Sequence, residues 1–336
     1  MNEAERQAKT HTMEGDSQSV GGANGDQVPL VSVIIPAYQV APFIKETLDS
    51  VFAQTLSDYE VIVINDGSPD TPELERALEP YLSRIRYLKQ DNQGAGAARN
   101  AGLRVGRGRF VAFLDGDDVY LPTFLSEQMQ LLQGGEAYDL VYADAKNFGD
   151  PSATGTHMDS NPSTGAVTAE SLICGRCNIV TSTVLARREL VLEAGLFDVT
   201  LRNSQDFDLW LRLAKKGARI NYQREVLLHR RIYAGSLASD PAKSFEGEIR
   251  VLEKTRLRTD LTAAELSALE VTLKRRLADV AVIRGKRSLL EGDFGAALKS
   301  FQLANDYFHS LKLWLVLVSL RLAPGILRRL YRGRGE

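Results

Sequence analysis

Cysteine is nearly absent from this chain of 336 residues: only Cys174 and Cys177 occur, in a Cys-Gly-Arg-Cys step. No second pair completes a zinc site, and no thioredoxin-like pattern precedes the step. Such sparse usage argues against a disulfide framework and fits a reducing compartment. An apolar run of transmembrane length is also missing. The densest one, Leu313 to Leu320, is closed off by Lys312 and Arg321. Neither charge sign is in large excess; the formal net charge is −2, so nothing global attracts nucleic acid. Residues 1–28 carry almost no large apolar side chains. They lack the apolar core of a secretory signal and bury too little to order themselves, so a disordered polar tail is expected. No persuasive Ser-His or Cys-His arrangement is present, so no protein nucleophile is expected.

What remains is ordinary globular composition, 44% hydrophobic and 25% charged. The length suits one large α/β domain plus an appendage. Strand-like runs at Val31 to Pro36, Glu60 to Asn65, Ile85 to Lys89 and Phe110 to Leu114 alternate with helical stretches. Phe43, Ile44, Leu48, Val51, Phe52 and Leu56 recur at helical spacing, as do Leu74, Leu78 and Leu82. This alternation predicts a mostly parallel sheet covered on both faces. Later, Leu140 to Tyr142 and Thr181 to Ala186 read as strands. Gly149 to Gly165 reads as a mobile loop. Helices are expected at Thr168 to Leu172, Arg187 to Ala194 and Asp206 to Lys216, the last burying Leu209, Trp210 and Leu213. From about Ser244 the pattern is helical, with Leu266, Leu269, Leu273 and Leu277 in one stripe. Residues 288–304 resemble half of a tetratricopeptide-type hairpin, with no second copy.

The most informative segment is Phe110 to Asp118, where an apolar strand ends in three carboxylates and one glycine. Period-2 geometry puts Asp115 and Asp117 on one side of an extended chain. Gly116 lets the backbone turn between them. Converging carboxylates repel unless a cation sits between them, and this hard oxygen set suits Mg²⁺ or Mn²⁺ with substrate phosphates completing the shell. Open α/β sheets bind ligands beyond the carboxyl ends of their strands. Pro36-Ala-Tyr38 and Asp66-Gly-Ser68 fall there too. Tyr38 offers a flat face for a nucleobase, Asp66 an acceptor for a base or ribose donor, and Arg99 a cation near phosphates.

Taken in order, Val-Ser-Val-Ile-Ile-Pro-Ala-Tyr at 31–38, Asn-Asp-Gly-Ser at 65–68, Ala-Ala-Arg-Asn-Ala-Gly-Leu at 97–103 and Leu-Asp-Gly-Asp-Asp at 114–118 resemble family 2 glycosyltransferases. Gly-Leu-Phe-Asp at 195–198 and Gln-Asp-Phe-Asp-Leu-Trp-Leu-Arg at 205–212 resemble that family's acceptor-side motifs. The resemblance covers residues 31 to about 240 and implies an inverting enzyme of the GT-A fold, an α/β fold with a mostly parallel mixed sheet. It divides the chain into a polar tail (1–28), a catalytic domain (29–240) and a helical C-terminal region (241–336). It implies that Pro36, Tyr38, Asp66, Arg99 and Asp115 surround the donor nucleotide. Asp117 is then the main metal ligand, Asp206 the catalytic base, and Gln205, Trp210 and Arg231 lie on the acceptor side. The family usually has Glu-Asp where Gln205-Asp206 stands. Many relatives carry a histidine near Tyr233, in a motif replaced here by Arg-Ile-Tyr-Ala-Gly-Ser at 231–236. The implied partners are a nucleoside-diphosphate sugar, with UDP the expected nucleotide, and a glycan or lipid-linked acceptor, with no nucleic acid. The role implied is polysaccharide synthesis for the cell envelope.

Three rivals stay open on sequence alone. Gly94-Ala-Gly96 before a helix resembles part of a dinucleotide site, but Arg99 stands where the third glycine belongs. A nucleotidyltransferase would share metal, nucleotide and diphosphate. A non-catalytic scaffold would use the helical tail to bind a partner. Residues 311–334, with Trp314, Leu315, Leu317, Val318 and several arginines, suggest peripheral contact with the inner face of the cell membrane. Packing of the same leucines on the 288–304 hairpin is the competing expectation. The chain is otherwise expected to be cytoplasmic.

Overall fold

A computed structural model describes residues 28–135, 137–151, 153–236 and 240–332. Residues 1–27 of the expected polar tail, and Arg334, lie outside the described residues. Four strands carry the first half: β1 (Val31–Ala37), β2 (Tyr59–Asp66), β3 (Arg86–Gln90) and β4 (Phe110–Phe113). They alternate with helices α1 (Ile44–Phe52), α2 (Thr71–Leu78) and α3 (Ala95–Val105). There follow β5 (Val119–Tyr120), α4 (Phe124–Gln133), β6 (Leu140–Gly149), α5 (His157–Ser160) and α6 (Ala169–Ile173). β7 (Leu185–Arg187), α7 (Arg188–Glu193), α8 (Gln205–Lys215) and β8 (Ile220–Ile232) complete the sheet region.

The eight strands lie in the order β3-β2-β1-β4-β7-β6-β8-β5. β1 is parallel to β2 and β4, and β2 is parallel to β3. β7 runs antiparallel to β4 and β6, which makes the sheet mixed. The period of two divides side chains between two cores. Ile34, Ile62, Ile64, Val111 and Phe113 face one core with α3, α6 and α8. Val33, Ile35, Val61, Val63 and Ala112 face the other, with α1, α2 and α4. A β-carbon at Gly102 would lie 2.6 Å from Ile34 Cγ2, so only glycine lets α3 rest this close to β1. The consequence for function is that the ends of β1, β2 and β4 open on one edge of the sheet.

Several expected elements differ. β6 runs to Gly149 rather than Tyr142, because it pairs with β8, a thirteen-residue strand that the sequence pattern does not reveal. The stretch 149–165 is not loop throughout: Lys146 bridges Thr156, and a capping box of Thr156 and Asp159 starts α5. Thr181–Thr183 forms a 3₁₀ turn, leaving β7 only three residues.

The C-terminal helices are α9 (Pro241–Arg256), α10 (Ala263–Glu291), α11 (Phe294–Phe308), α12 (Leu311–Leu322) and α13 (Pro324–Arg332). Ile249, Val251 and Leu252 of α9, with Leu269, Leu273 and Val280 of α10, extend the first core. Leu266 and Leu277 are exposed, so the expected leucine stripe is buried only in its middle. Leu289, Ala297, Phe301, Val316, Leu317, Leu320 and Leu327 close a separate small core.

Candidate active site

The donor half is built from strand ends. Pro36 is buried in β1, and two residues later the Tyr38 ring is 45% exposed. The Gln39 amide donates to Ser68 Oγ at 2.6 Å, tying the loop after β1 to the loop after β2. Asp66 is buried, and its carboxylate accepts from Gln90 Nε2 (2.7 Å), Gln93 N (3.0 Å) and Gly94 N (2.7 Å). These three protein donors leave the carboxylate roughly one lone-pair site for a ligand. Asp66 thus anchors the entry to α3, which carries Arg99. The Arg99 guanidinium is buried, pairs with Asp115, and lies 5.6 Å from the Phe197 ring centre. Its charge is committed to Asp115 rather than left free for phosphate.

The acidic turn is held from several sides. Thr47 Oγ1 donates to the carbonyls of Gly116 (3.0 Å) and Asp118 (2.8 Å). A β-carbon at Gly116 would sit 2.9 Å from Val40 and 3.1 Å from the Pro36 carbonyl, so the turn lies directly on the end of β1. Arg231 donates its amide to Asp118 Oδ1 and its Nε to the Asp117 carbonyl, both at 2.9 Å. Its guanidinium lies between the Phe43 and Phe148 rings, at 4.7 and 4.3 Å, and pairs with Glu46. The structure therefore places Arg231 on β8 as a brace under the acidic turn. Burial, then the nearby Asp117 carboxylate, raises the Tyr233 hydroxyl. Burial, then the charge of Asp115, pushes the Asp117 carboxyl up to about 6. Burial and the neighbouring acids raise Asp118 as well.

The second half comes from α8. Asp206 is half-buried near its start, after Ser204 in a left-handed conformation with φ of 59°. Its Oδ1 accepts from the Phe207 amide at 2.8 Å and its Oδ2 from Thr181 Oγ1 at 2.5 Å. The next residue, Ser182, accepts the Asp115 amide at 3.1 Å through Oγ. One short polar turn thus ties Asp206 to the acidic turn. The sequence pattern gives no hint of this turn, because Thr-Ser-Thr followed by apolar residues reads as strand.

The structure separates the remaining expected residues. Gln205 is buried against Gly96, whose β-carbon would lie 3.1 Å from Gln205 Cγ. Gln205 Oε1 and Arg99 Nε are buried without hydrogen-bond partners among the described residues. Trp210 is only 1% exposed, with its ring 6.4 Å from Phe113 and 6.3 Å from Phe197. Its expected place on the acceptor side is not what the structure has: it is core, as an aromatic on the apolar face of a helix usually is. Asp208, the other acid of the helix, is buried between Arg212 (2.7 Å) and Lys254 (2.6 Å) and locks α8 to α9.

Beyond Tyr233 a cavity of about 680 Å³ opens between the ends of β6 and β8 and helix α5. Asn147, His157, Asn161, Arg230 and Gly235 line it. Burial, then the nearby Arg230, pushes His157 down to about 4. Among the described residues no group of three or more His, Cys, Asp or Glu side chains is spaced to cage a metal ion. A Mg²⁺ or Mn²⁺ ion bound mainly by substrate phosphates needs only one or two carboxylates. Asp117 stands in one turn with Asp115 and Asp118 and is only partly buried, so this hard oxygen donor set fits such an ion.

The profile described as glycosyl transferase family 2 matches residues 32–190. An uncharacterized glycosyltransferase of Rickettsia prowazekii is 30% identical over 285 residues, covering 82% of this chain and 84% of the relative. The chain belongs to glycosyl transferase family 2. An Escherichia coli family relative, named UDP-Glc:alpha-D-GlcNAc-diphosphoundecaprenol beta-1,3-glucosyltransferase, is 29% identical over 67% of this chain and 86% of its own. Some relatives are longer; the chain spans 40% of one from Rickettsia felis. Among solved structures, S. aureus TarS 1-349 in complex with UDP-GlcNAc matches 90% of this chain and 91% of that one, with TM-score 0.59 and 20% identity. The mannosyltransferase PcManGT from Pyrobaculum calidifontis, in complex with GDP-Man and Mn²⁺, matches with TM-score 0.58 and 18% identity over 91% and 85%. These likenesses establish the GT-A architecture for this member of glycosyl transferase family 2.

Proposed function

We propose that this family 2 glycosyltransferase inverts the anomeric centre as it moves a sugar from a UDP-sugar to a hydroxyl of a glycan or lipid-linked acceptor. The observation that carries this reading is the Thr181–Ser182 turn, bonded on one side to Asp206 and on the other to the Asp115 amide. It supports a frame in which proton acceptor and diphosphate site keep a fixed relation. Asp206 takes the proton of the attacking hydroxyl, a contribution typically worth ~10²–10⁴ in rate. Asp208 is unsuited to that task because two cations already hold it. A single displacement needs no protein nucleophile and reverses the configuration.

Tyr38 stacks on the base, and Pro36, Asp66, Arg99 and Asp115 shape the remaining donor pocket. Mg²⁺ or Mn²⁺ held by Asp117 would supply Lewis acidity to the leaving diphosphate. Tyr233 stands beside the Asp117 carboxylate, and Arg231 fixes the backbone beneath it. The cavity lined by Asn147, His157 and Arg230 receives the acceptor. Residues 29–240 form the catalytic domain in this reading, with 241–336 as a helical addition. The E. coli relative's name supports a lipid-linked acceptor, hence work at the inner face of the cell membrane in envelope polysaccharide synthesis. No helix among the described residues is long and apolar enough to cross a membrane.

A panel of nucleotide sugars with Mn²⁺, assayed for nucleoside diphosphate release and product mass, tests the proposal. Release of UDP together with an acceptor gaining one sugar supports it. Pyrophosphate release would instead identify a nucleotidyltransferase.

A further inference from the structure

Helix α12 is apolar on two faces. Val316, Leu317 and Leu320 turn inward onto the small core under α11 and α13. Leu311, Trp314, Leu315 and Leu322 recur at helical spacing on the other side, and Ile326 and Leu330 of α13 extend the row. These six side chains are between 51% and 80% exposed. Packing on the 288–304 hairpin therefore accounts for one face only. The outward row is a large apolar patch of the kind that marks an interaction surface.

Its surroundings carry charge of one sign. Between Asp306 and Glu336 the chain has Lys312, Arg321, Arg328, Arg329, Arg332 and Arg334 and no acid, although the whole protein is at −2. Arg328 is engaged, its Nε bonding the Leu290 carbonyl at 3.0 Å to close the end of α10. Lys312, Arg321 and Arg329 are exposed and have no ion-pair partner among the described residues. Two copies packed through this face would bring like charges together, which disfavours a dimer. An apolar row flanked by cations instead matches a membrane interface, where leucine and tryptophan enter the headgroup boundary and arginine meets acidic lipid. At 12 residues α12 is about 18 Å long, too short to span.

We propose that the outward face of α12 and α13 docks on a bilayer surface rich in acidic phospholipid. The docking deepens the lipid-linked acceptor reading and rests on it for its purpose, but not for its physical basis. Two weak signals act together, shallow apolar insertion and cation attraction, so attachment is peripheral and reversible.

The test is co-sedimentation of the full chain with phosphatidylcholine vesicles with and without phosphatidylglycerol, at low and high salt. Trp314 is a built-in probe, because the only other tryptophan, Trp210, is buried. Binding that requires phosphatidylglycerol, weakens at high salt and shifts Trp314 emission to the blue is expected. Arg329→Gln should weaken binding about fivefold, from ~1 kcal/mol per surface cation. Trp314→Ser with Leu315→Ser, Ile326→Ser and Leu330→Ser should weaken it about tenfold or more at an unchanged melting temperature, because all four face outward. Absence of binding at low salt, binding kept in the fourfold variant, or a stable dimer that shields Trp314 would overturn the proposal. Transfer to a soluble acceptor, followed in parallel, separates the two readings. Its absence beside intact vesicle binding would count against the enzymatic reading alone.

Discussion

The Thr181–Ser182 turn allows base and donor site to be perturbed from adjacent positions. Thr181→Val keeps the branched shape and removes the hydroxyl that donates to Asp206 at 2.5 Å. A hydrogen bond to a charged group is worth ~1.5–3 kcal/mol, and Asp206 is half-buried, so water recovers part of it. About 1 kcal/mol of positioning is then lost, equivalent to about a fivefold fall in kcat. The donor KM should hold, because Thr181 touches nothing on the nucleotide side. Ser182→Ala instead strands the Asp115 amide, which donates to Ser182 Oγ at 3.1 Å. An unsatisfied buried amide costs ~1–3 kcal/mol; Asp115 is only partly buried, so the cost falls at the low end, and the loss loosens the acidic turn. The donor KM should rise about fivefold or more, with a smaller change in kcat. Steady-state kinetics over a donor titration, with circular dichroism to confirm the fold, measures both. If both variants lower kcat alike and leave KM unchanged, the turn does not divide its work in this way.

Other perturbations probe different parts. Asp117→Asn should abolish metal-stimulated transfer and weaken Mn²⁺ binding measured by electron paramagnetic resonance in the presence of UDP; full activity in EDTA would remove the metal reading. Protons compete with metal for a carboxylate whose folded pKa is raised to about 6, so Mn²⁺ affinity should fall as the pH drops through that window and level off above it. Arg231→Lys loses the Nε bond to the Asp117 carbonyl and the stacking between Phe43 and Phe148, and should lower stability by ~1–3 kcal/mol in urea titration while also raising the donor KM. Trp210→Phe should lower the melting temperature and leave the acceptor KM unchanged; a selective acceptor defect would return Trp210 to the acceptor side.

What the sequence discloses here follows burial. β1, β2 and β4 are buried on both faces, so their apolar runs are unbroken and end abruptly in the polar motifs. β8 is different: Arg224, Glu225, His229, Arg230 and Arg231 interrupt it, and only Ile220, Leu227 and Leu228 are fully buried. Its partners, not its pattern, make it a strand. The acids at 115–118 are legible because a polar cluster behind a buried strand is unusual. The roles of Arg231 and Trp210 are not legible, since one depends on pairing with β6 and the other on which helix face meets the sheet. Thr181 and Ser182 carry no local signal, because their partners lie 25 and 67 residues away.

The most direct test of the central claim is the anomeric configuration of the first product formed from an α-linked UDP-sugar, read by proton NMR coupling at early turnover. The account predicts a β-linkage, with product formation falling two to four orders of magnitude, ~10²–10⁴, in Asp206→Asn at unchanged UDP affinity. An α-linked product, or near wild-type turnover in that variant, would contradict single displacement with Asp206 as base.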